Sequence, residues 1–265
     1  MPGATTPTST GYEKFAPFYD AFTAESDYEA WTGHVLALAR SLGLHGDSLL
    51  DVACGTGNSF RPFLARGFRV TGCDLSRTML DEAARKAPEA TFVHADMCEL
   101  PALGRFDLVT CFDDSINYLL DEPQLAGALR SIAANLSPDG IALFDLNTLL
   151  AYRTTFASDS VSERGGLLFV WHGESTADAP AGCRTAARID VFVRREHELY
   201  ERISSLHAQR HFPRDRVIAL LGEAGLECVG VHGVLDDGAL VPEADELRHL
   251  KVLYAARPAK GGDAR

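Results

Sequence analysis

The sequence predicts an α/β fold: a doubly wound, mostly parallel sheet of seven strands with an N-terminal helical lid and an antiparallel β insertion. Three observations predict it. Apolar runs of strand length alternate with helix-like segments from residue 49 to residue 146. The run Leu49 to Cys54 breaks into the small-residue turn Gly55-Thr56-Gly57, which is typical of α/β folds that bind a ligand at the end of a strand. After Asn147, strands follow one another without intervening helices, which indicates an antiparallel layer.

The composition favours one large α/β domain with an insertion. The chain has 265 residues, of which 46% are hydrophobic, enough for a substantial core. Its 25 basic and 37 acidic residues give a net charge of −12, without any basic run. Because nucleic acids and anionic membranes are bound by cationic surfaces, this charge disfavours both and favours a small neutral or cationic partner. Monomer and homodimer both stay open.

Cysteine usage and hydropathy favour a cytoplasmic protein. The six cysteines are scattered without a C-x-x-C pair, which favours a reducing compartment and argues against disulfides and structural zinc. No apolar run approaches the length of a membrane span. Residues 1–11 lack the apolar segment of a signal peptide.

Two helices are predicted ahead of the first strand. Residues 1–11 are small and polar, and we expect them to be disordered. The next segment carries aromatic residues at helical spacing: Tyr12, Phe15, Phe18, Tyr19 and Phe22. Such a face either docks on a core or closes over a pocket, and we expect residues 12–46 to form a helical lid. Asp27 is expected to cap the second helix, which ends at Leu42-Gly43.

Strands and helices alternate through the expected core, residues 47–150. We expect the strands at residues 49–54, 69–75, 91–95, 106–112 and 141–146. Asn58 or Ser59 is expected to cap the first helix between them and Ser76 the second, and residues 125–136 form the third. Pro138-Asp139-Gly140 predicts a turn into the last strand.

The insertion is expected over residues 151–212, as a β cap above the strand ends. Its strands are predicted at residues 167–171, 186–193 and 199–211. Residues 213–258 return to the core, with a helix at 215–224 and edge strands at 226–234 and 250–255. The remaining residues, 259–265, are expected to be a disordered tail.

The turn after the first strand suits a nucleoside with a charged tail. Gly55 and Gly57 lack side chains, so a ligand can lie against the backbone, and glycine also tolerates a positive φ. Asp74, at the end of the second strand, is placed to accept hydrogen bonds from two ribose hydroxyls. Position 60 is Phe60 rather than the third glycine of a dinucleotide motif, and no Gly-Lys-Ser/Thr phosphate loop follows.

An acid shortly ahead of Gly-x-Gly resembles the first motif of the class I S-adenosylmethionine-dependent methyltransferases. The resemblance implies a methyltransferase with S-adenosyl-L-methionine as methyl donor and S-adenosyl-L-homocysteine as product. It also implies that Asp96 binds the adenine amino group, that Met97 lies against the ring, and that the methyl lies near the end of strand four. The residues that it assigns to the cofactor are Tyr19, Tyr28, Asp51, Ala53, Gly55, Gly57, Asp74, Leu75, Met79, Asp96, Met97, Cys111 and Phe112.

A closer resemblance concerns residues 12–235. The stretch Asp114-Ser115-Ile116-Asn117-Tyr118 is similar to the S-S-I-G-Y/H segment of the amino-sugar N-methyltransferases of macrolide assembly. It implies that Tyr118 and Tyr12 lie beside the acceptor as orienting or proton-accepting groups. It also implies a substrate pocket formed by Phe15, Asp114, Asn117, Asn147 and Tyr152. The chain departs from that group at Asp74, where the group has Glu, and at residues 145–148, where it has Pro-Trp-Trp.

The expected function is N-methylation of a small molecule in secondary metabolism, and four alternatives stay open. A hydroxyl acceptor would need a general base, for which His207 and His211 on one face of an insertion strand are the candidates. A catechol-type enzyme would hold magnesium near Asp114, Asp145 and Asn147, although we expect no metal. A non-catalytic S-adenosylmethionine-binding protein and an RNA-modifying enzyme are the remaining alternatives.

Overall fold

A twisted central sheet of eight strands forms the middle layer of the computed structural model, which describes the backbone of residues 7–259 and the side chains of residues 13–259 except Glu198. The spatial order of the strands is β11-β10-β12-β5-β4-β1-β2-β3. These strands are β1 (Ser48–Val52), β2 (Arg69–Asp74), β3 (Thr91–His94), β4 (Phe106–Cys111), β5 (Leu136–Asn147), β10 (Leu226–Val234), β11 (Leu240–Pro242) and β12 (Lys251–Pro258). The first five are parallel, and the last three add an antiparallel edge.

Helices cover both faces of the sheet. They are α1 (Pro7–Phe22), α2 (Tyr28–Ser41), α3 (Arg61–Ala65), α4 (Arg77–Lys86), α5 (Glu122–Asn135), α6 (Leu149–Arg153) and α7 (Arg214–Glu223). One buried cluster joins the sheet to α5 and α7, and a second joins it to α2, α3 and α4. Both faces of the parallel strands are therefore apolar, as their unbroken apolar runs predict.

The part of the chain between β5 and α7 forms a second, antiparallel sheet, which is the cap. Its strands, in spatial order, are β6 (Asp159–Arg164), β7 (Leu167–Gly173), β8 (Arg184–Arg194) and β9 (Tyr200–Arg210). Helix α1 packs on this sheet, because Phe15 is buried in a cluster with Phe169, Ile189 and Val191. The cap and α1 thus share a core that is separate from the two cores of the central sheet.

The fold class and the cap are confirmed. The differences concern element ends and two short strands, one of which makes the central sheet eight-stranded where seven strands were expected. Helix α3 begins after Phe60 without a side-chain cap, so the capping role expected of Asn58 or Ser59 is wrong. Strand β5 begins at Leu136 and runs through the residues expected to form a turn, Pro138-Asp139-Gly140. The structure also has two strands that the sequence analysis missed, β6 and β11, because β6 is mostly exposed and polar and β11 has only three residues.

Both ends of the chain, residues 1–11 and 259–265, were expected to be disordered. Helix α1 begins at Pro7, inside the stretch 1–11 that was expected to be disordered. Residues 1–6 and 260–265 lie outside the described residues, so the disorder expected there stays a prediction. Within residues 7–259, no helix is both long and apolar enough to cross a membrane.

Candidate active site

A cavity of about 170 Å³ opens at the carboxyl ends of β1, β2, β3 and β4. This is where ligands bind in open α/β sheets. Its lining consists of Tyr19, Ala53, Gly55, Asp74, Leu75, Ser76, Met79, Asp96, Met97, Cys98, Asp113, Ser115, Tyr118, Leu119, Leu120 and Gln124. The cavity gathers eight of the residues that the sequence assigns to the cofactor, and Tyr118.

The turn after β1 is left-handed at three positions. Ala53 has φ 55°, Gly55 has φ 53° and Gly57 has φ 86°. A Cβ on Gly55 would lie 4.0 Å from the ring of Tyr19, so this glycine leaves its side of the cavity open. A Cβ on Gly57 would instead lie 2.7 Å from the ring of Phe60. Gly57 is therefore required by packing against Phe60, and it is not among the residues that line the cavity.

Asp51 supports this turn from behind the cavity. Its buried carboxylate accepts hydrogen bonds from Ser59 Oγ at 2.8 Å and from Thr110 Oγ1 at 2.5 Å. Burial raises the pKa of Asp51 to about 7, although both hydroxyls oppose the shift. The side chain does not reach the cavity, so a direct cofactor contact by Asp51 is not supported.

Asp74 ties the turn to the end of β2. One carboxylate oxygen accepts from Gly55 N–H and the other from Ser76 N–H, each at 2.8 Å. Burial raises the pKa of Asp74, and the two backbone donors lower it. Since a carboxylate offers about four lone pairs, two remain for a ligand in the cavity. Asp96 follows β3 in the same way and accepts from Cys98 N–H at 2.8 Å.

Beyond β4 the chain makes an unusual turn that places Asp113 in the cavity wall. Asp113 and Asp114 are both left-handed, with φ 57° and 49°, a conformation that strains non-glycine residues. The buried carboxylate of Asp145 accepts from both of their N–H groups, at 3.2 and 2.7 Å. Lys251 Nζ lies 3.3 Å from both Asp114 and Asp145. The carboxylates considered above as magnesium ligands therefore have a lysine ammonium as their cation.

The pKa shifts in this cluster follow from burial and charge. Burial raises the pKa of Asp145 to about 6, against the attraction of Lys251. Burial alone would lower the pKa of Lys251, but the carboxylates of Asp145 and Asp114 raise it. Asp145 holds the strained turn through its hydrogen bonds to the backbone, and Lys251 holds it through its ion pair with Asp114.

Two tyrosines of the N-terminal helices converge on Asp113. Its Oδ2 accepts from Tyr28 OH at 2.9 Å and from Tyr19 OH at 3.3 Å. Tyr19 lines the cavity, whereas Tyr28 is not among the lining residues. Burial and the Asp113 carboxylate raise the pKa of Tyr28. Asp113 was not among the predicted site residues, since nothing in the pattern D-D shows which of the two carboxylates faces the cavity.

Tyr118 meets the cap at His207. Tyr118 OH lies 3.2 Å from His207 Nδ1, and His207 Nε2 lies 2.9 Å from Ser205 Oγ. The imidazole is buried, and its ring packs against Phe15 of α1 with a centroid distance of 5.3 Å. Burial lowers the pKa of His207 to about 4. The polar face of β9, which carries Ser205, His207 and Gln209, is thus turned inward and buried.

The predicted substrate residues behind Tyr118 join the cap to the core instead of lining the cavity. Gln209 of β9 donates to Asp114 at 2.5 Å and accepts from Asn147 Nδ2 at 3.1 Å and Tyr152 OH at 3.2 Å. Asn117 donates to Arg210 O at 2.9 Å and accepts from Asn147 N–H at 2.8 Å. These buried amides satisfy one another, so no direct substrate contact is supported for Asp114, Asn117, Asn147 or Tyr152.

Four further predicted site residues lie away from the cavity. His211 is buried, its Nδ1 accepts from Gly182 N–H at 3.0 Å, and its ring packs on Tyr152. The side chain of Cys111 is buried in one core of the central sheet and that of Phe112 in the other. Asp113 is therefore the first residue after β4 that lines the cavity. Phe15 is part of the core between α1 and the cap. The side chain of Tyr12 lies outside the described residues.

Helix α1 is fastened around the cavity mouth by acidic residues. Asp20 accepts from Thr56 Oγ1 at 2.6 Å, Asn58 Nδ2 at 3.0 Å and Lys86 Nζ at 2.7 Å. Glu13 accepts from Thr78 Oγ1 at the start of α4. With Phe15 on the cap and Tyr19 in the cavity wall, α1 both docks on a core and covers a pocket, the two alternatives for its aromatic face.

The charge of the cavity wall has one sign. Asp74, Asp96 and Asp113 contribute carboxylates, and no lysine, arginine or histidine is found among the described residues of the lining. Apolar side chains such as Met79, Met97 and Leu119 make up much of the remaining wall. Such a wall fits a ligand with flat apolar surface, neighbouring hydroxyls and a positive charge, which is the chemistry of an adenosyl sulfonium.

Comparisons with known proteins agree with this geometry. Residues 49–140 match the family described as a methyltransferase domain. The chain is 33% identical to a putative methyltransferase of Geobacillus sp. (strain WCH70) over 235 residues, covering 86% of this chain and 94% of that protein. It is 38% identical to a dTDP-3-amino-3,6-dideoxy-alpha-D-glucopyranose N,N-dimethyltransferase of Streptomyces fradiae over 119 residues, 45% of this chain and 47% of that protein. Among solved structures, an S-adenosylmethionine-dependent methyltransferase from Clostridium acetobutylicum superposes with a TM-score of 0.77 at 25% identity, covering 94% of this chain and 99% of the other.

Proposed function

The chain belongs to the S-adenosylmethionine-dependent methyltransferases, and from this premise we propose that it methylates an amine nitrogen of a small molecule. S-Adenosylmethionine supplies an electrophilic methyl on a sulfonium sulfur. The acceptor's lone pair forms the N–CH3 bond as the S–CH3 bond breaks, which gives S-adenosylhomocysteine and a proton for solvent. The protein's own share is to hold the two reactants in line.

The observation that carries the amine is the single sign of charge in the cavity wall. Asp74, Asp96 and Asp113 surround a site whose described lining holds no cationic side chain. Opposite charge favours a cationic ligand in a partly buried site. An ammonium is therefore attracted to the site as the acceptor's resting form and releases a proton to solvent before its lone pair attacks, whereas a carboxylate or phosphate at the reacting position is repelled.

We assign the donor contacts to the ends of β1, β2 and β3. Asp74 takes the ribose hydroxyls with its two remaining lone-pair positions, and Asp96 takes the adenine amino group. Met97 packs against the adenine ring. In this assignment residues 47–150 and 213–258 form the donor-binding core, and residues 151–212 close the acceptor side.

An amino sugar is the acceptor class with the most support. The Streptomyces fradiae relative is named for N,N-dimethylation of a dTDP-amino sugar, although the similarity covers less than half of either chain. A hydroxyl acceptor has less support, because it requires a general base. His207 is the histidine nearest Tyr118, and a pKa of about 4 makes it a weak proton acceptor at neutral pH.

The test is methyl transfer from labelled S-adenosylmethionine to pairs of acceptors that differ only in an amine or a hydroxyl at the same carbon. Amino sugars with and without a nucleoside diphosphate should be included. We expect label on the amines alone, and an Asp74→Ala variant should transfer less label at the same S-adenosylmethionine concentration, because it binds the donor more weakly. Label on hydroxyls with none on the matched amines would contradict the proposal.

A further inference from the structure

His207 is the one buried titratable group of the cap that reaches a residue of the cavity wall, among the described residues. It lies where three parts of the molecule meet: β9 of the cap, Phe15 of helix α1, and Tyr118 after β4. Its low basicity leaves it unsuited to take a proton from a substrate. Its two ring nitrogens nevertheless have different partners, and those partners determine which nitrogen carries the proton.

The hydrogen bonds of Ser205 set the tautomer. Ser205 Oγ lies 3.3 Å from Ile189 O and 2.9 Å from His207 Nε2. A carbonyl oxygen can only accept, so Ser205 is the donor in its contact with Ile189 O, and the serine oxygen accepts from Nε2–H. A neutral imidazole with its proton on Nε2 has a lone pair on Nδ1. Tyr118 OH, 3.2 Å from Nδ1, is therefore the donor in that pair.

A hydroxyl group has one proton, so a tyrosine that donates to His207 can only accept from its other neighbours. We propose that His207 is a positioning residue which, through its Nε2–H tautomer, keeps the Tyr118 hydroxyl oxygen as a hydrogen-bond acceptor toward the acceptor amine. This inference rests on the proposed function, since it concerns the same reaction.

The consequence concerns the orientation of the nucleophile. An amine whose lone pair points at the methyl must direct its N–H bonds elsewhere, toward groups that accept. Tyr118 oxygen, held in this way, and the Asp113 carboxylate are two such groups in the cavity wall. If the tautomer reversed, Tyr118 would donate to the amine and occupy the lone pair that has to attack.

Two substitutions separate this role from packing. His207→Phe keeps a flat ring against Phe15 but removes the acceptor for Tyr118. His207→Asn loses ring packing but can keep an acceptor oxygen near the position of Nδ1. We expect His207→Phe to lower kcat about tenfold and His207→Asn to keep most of it, with the Kd for S-adenosylmethionine unchanged in both. A role in packing alone predicts the reverse order, and that result would overturn the proposal.

Two more variants complete the kinetic test. In a Tyr118→Phe background, His207→Phe should cause no further loss, because the two residues act through one hydrogen bond. Additive losses would contradict the proposal. Asp190→Asn is the matched control, since Asp190 lies on β8, pairs with Arg202 on the opposite face of the cap, and should leave kcat unchanged.

A spectroscopic measurement needs no acceptor and so stands apart from the proposed function. In protein labelled with ¹⁵N-histidine, the His207 signal, assigned with His207→Phe, should show a neutral ring with Nε2 protonated from pH 6 to pH 8. A proton on Nδ1 would overturn the inference even if the amines are methylated. A missing amine activity in the wild-type enzyme would instead contradict the proposed function.

Discussion

At the scale of single residues, Asp74 combines a structural and a binding role, because its carboxylate closes the glycine turn and faces the cavity. We expect Asp74→Ala to weaken S-adenosylmethionine binding by about 1.5–3 kcal/mol, the range for hydrogen bonds to charged groups. Calorimetric titration measures this directly. Asp74→Glu is the matched control, since it keeps the charge and should lose less. Unchanged affinity of the alanine variant would remove the ribose assignment.

Residue types at strand ends were predictable, but side-chain directions beyond those ends were not. Asp74 is the last residue of β2 and Asp96 comes two residues after β3, at strand ends that the apolar pattern gives, and both line the cavity. Asp113 is different, because its direction depends on two left-handed residues held by Asp145, which is distant in sequence. Likewise, the polar alternation in β9 predicts that His207 shares a face with Gln209, and only the packing of α1 shows that this face is buried.

At the scale of elements, Asp51 makes the end of β1 sensitive to pH. Its pKa is raised from 3.8 to about 7 in the folded protein, so the folded state binds a proton that the unfolded state releases between these values. Stability therefore falls as the pH rises from about 4 to about 7. A shift of about three units corresponds to ~4 kcal/mol at most.

The substitution Asp51→Asn tests this. Asparagine can stay hydrogen-bonded to Ser59 and Thr110 without a charge. The variant should be more stable than wild type at pH 8 by about 2–4 kcal/mol, and this advantage should shrink toward pH 5, where the wild-type carboxyl is protonated. Urea unfolding at several pH values measures the difference. If the difference in stability between variant and wild type is constant across that range, the pKa of Asp51 is not raised in the folded state.

Helix α1 is held at the cavity mouth chiefly by Asp20, whose partners lie on the glycine turn and on α4. Without these hydrogen bonds the helix still has its core on the cap, so we expect Asp20→Ala to fold. S-Adenosylmethionine should dissociate several-fold faster, and the amides of α1 should exchange hydrogen faster. Glu29→Ala is the control, because it removes an exposed ion pair between Glu29 on α2 and Arg66 at the end of α3. Equal dissociation rates in both variants would show that α1 does not gate the cavity.

Elements with a strong periodic pattern were predicted, and those defined by tertiary contacts were not. Ser76 caps α4 as expected, because its oxygen accepts from Met79 N–H within one turn. Ser59 was expected to cap α3 by the same local rule, but its hydroxyl donates to Asp51 instead. A buried acid that needs hydrogen-bond donors outweighs a helix cap, and the local sequence does not show that competition.

At the scale of the whole molecule, the net charge of −12 and the carboxylates of the cavity wall act in the same direction. S-Adenosylmethionine carries a sulfonium charge that S-adenosylhomocysteine lacks, while the nucleoside and amino-acid parts are the same. The field of the protein should therefore favour the methyl donor over the product, which helps exchange of one for the other after each turnover.

Salt dependence isolates this contribution. Raising NaCl from about 0.05 to about 0.5 M shortens the screening length from roughly 14 Å to roughly 4 Å, so the attraction of distant charges is lost. We expect the Kd of S-adenosylmethionine to rise about threefold more than that of S-adenosylhomocysteine over this range, as measured by calorimetry. Asp113→Asn should make the salt dependence of the two Kd values more alike, because it removes one carboxylate from the cavity wall. Parallel salt curves for the two ligands would mean that the cavity does not distinguish their charge, and the electrostatic argument for an amine acceptor would fail with it.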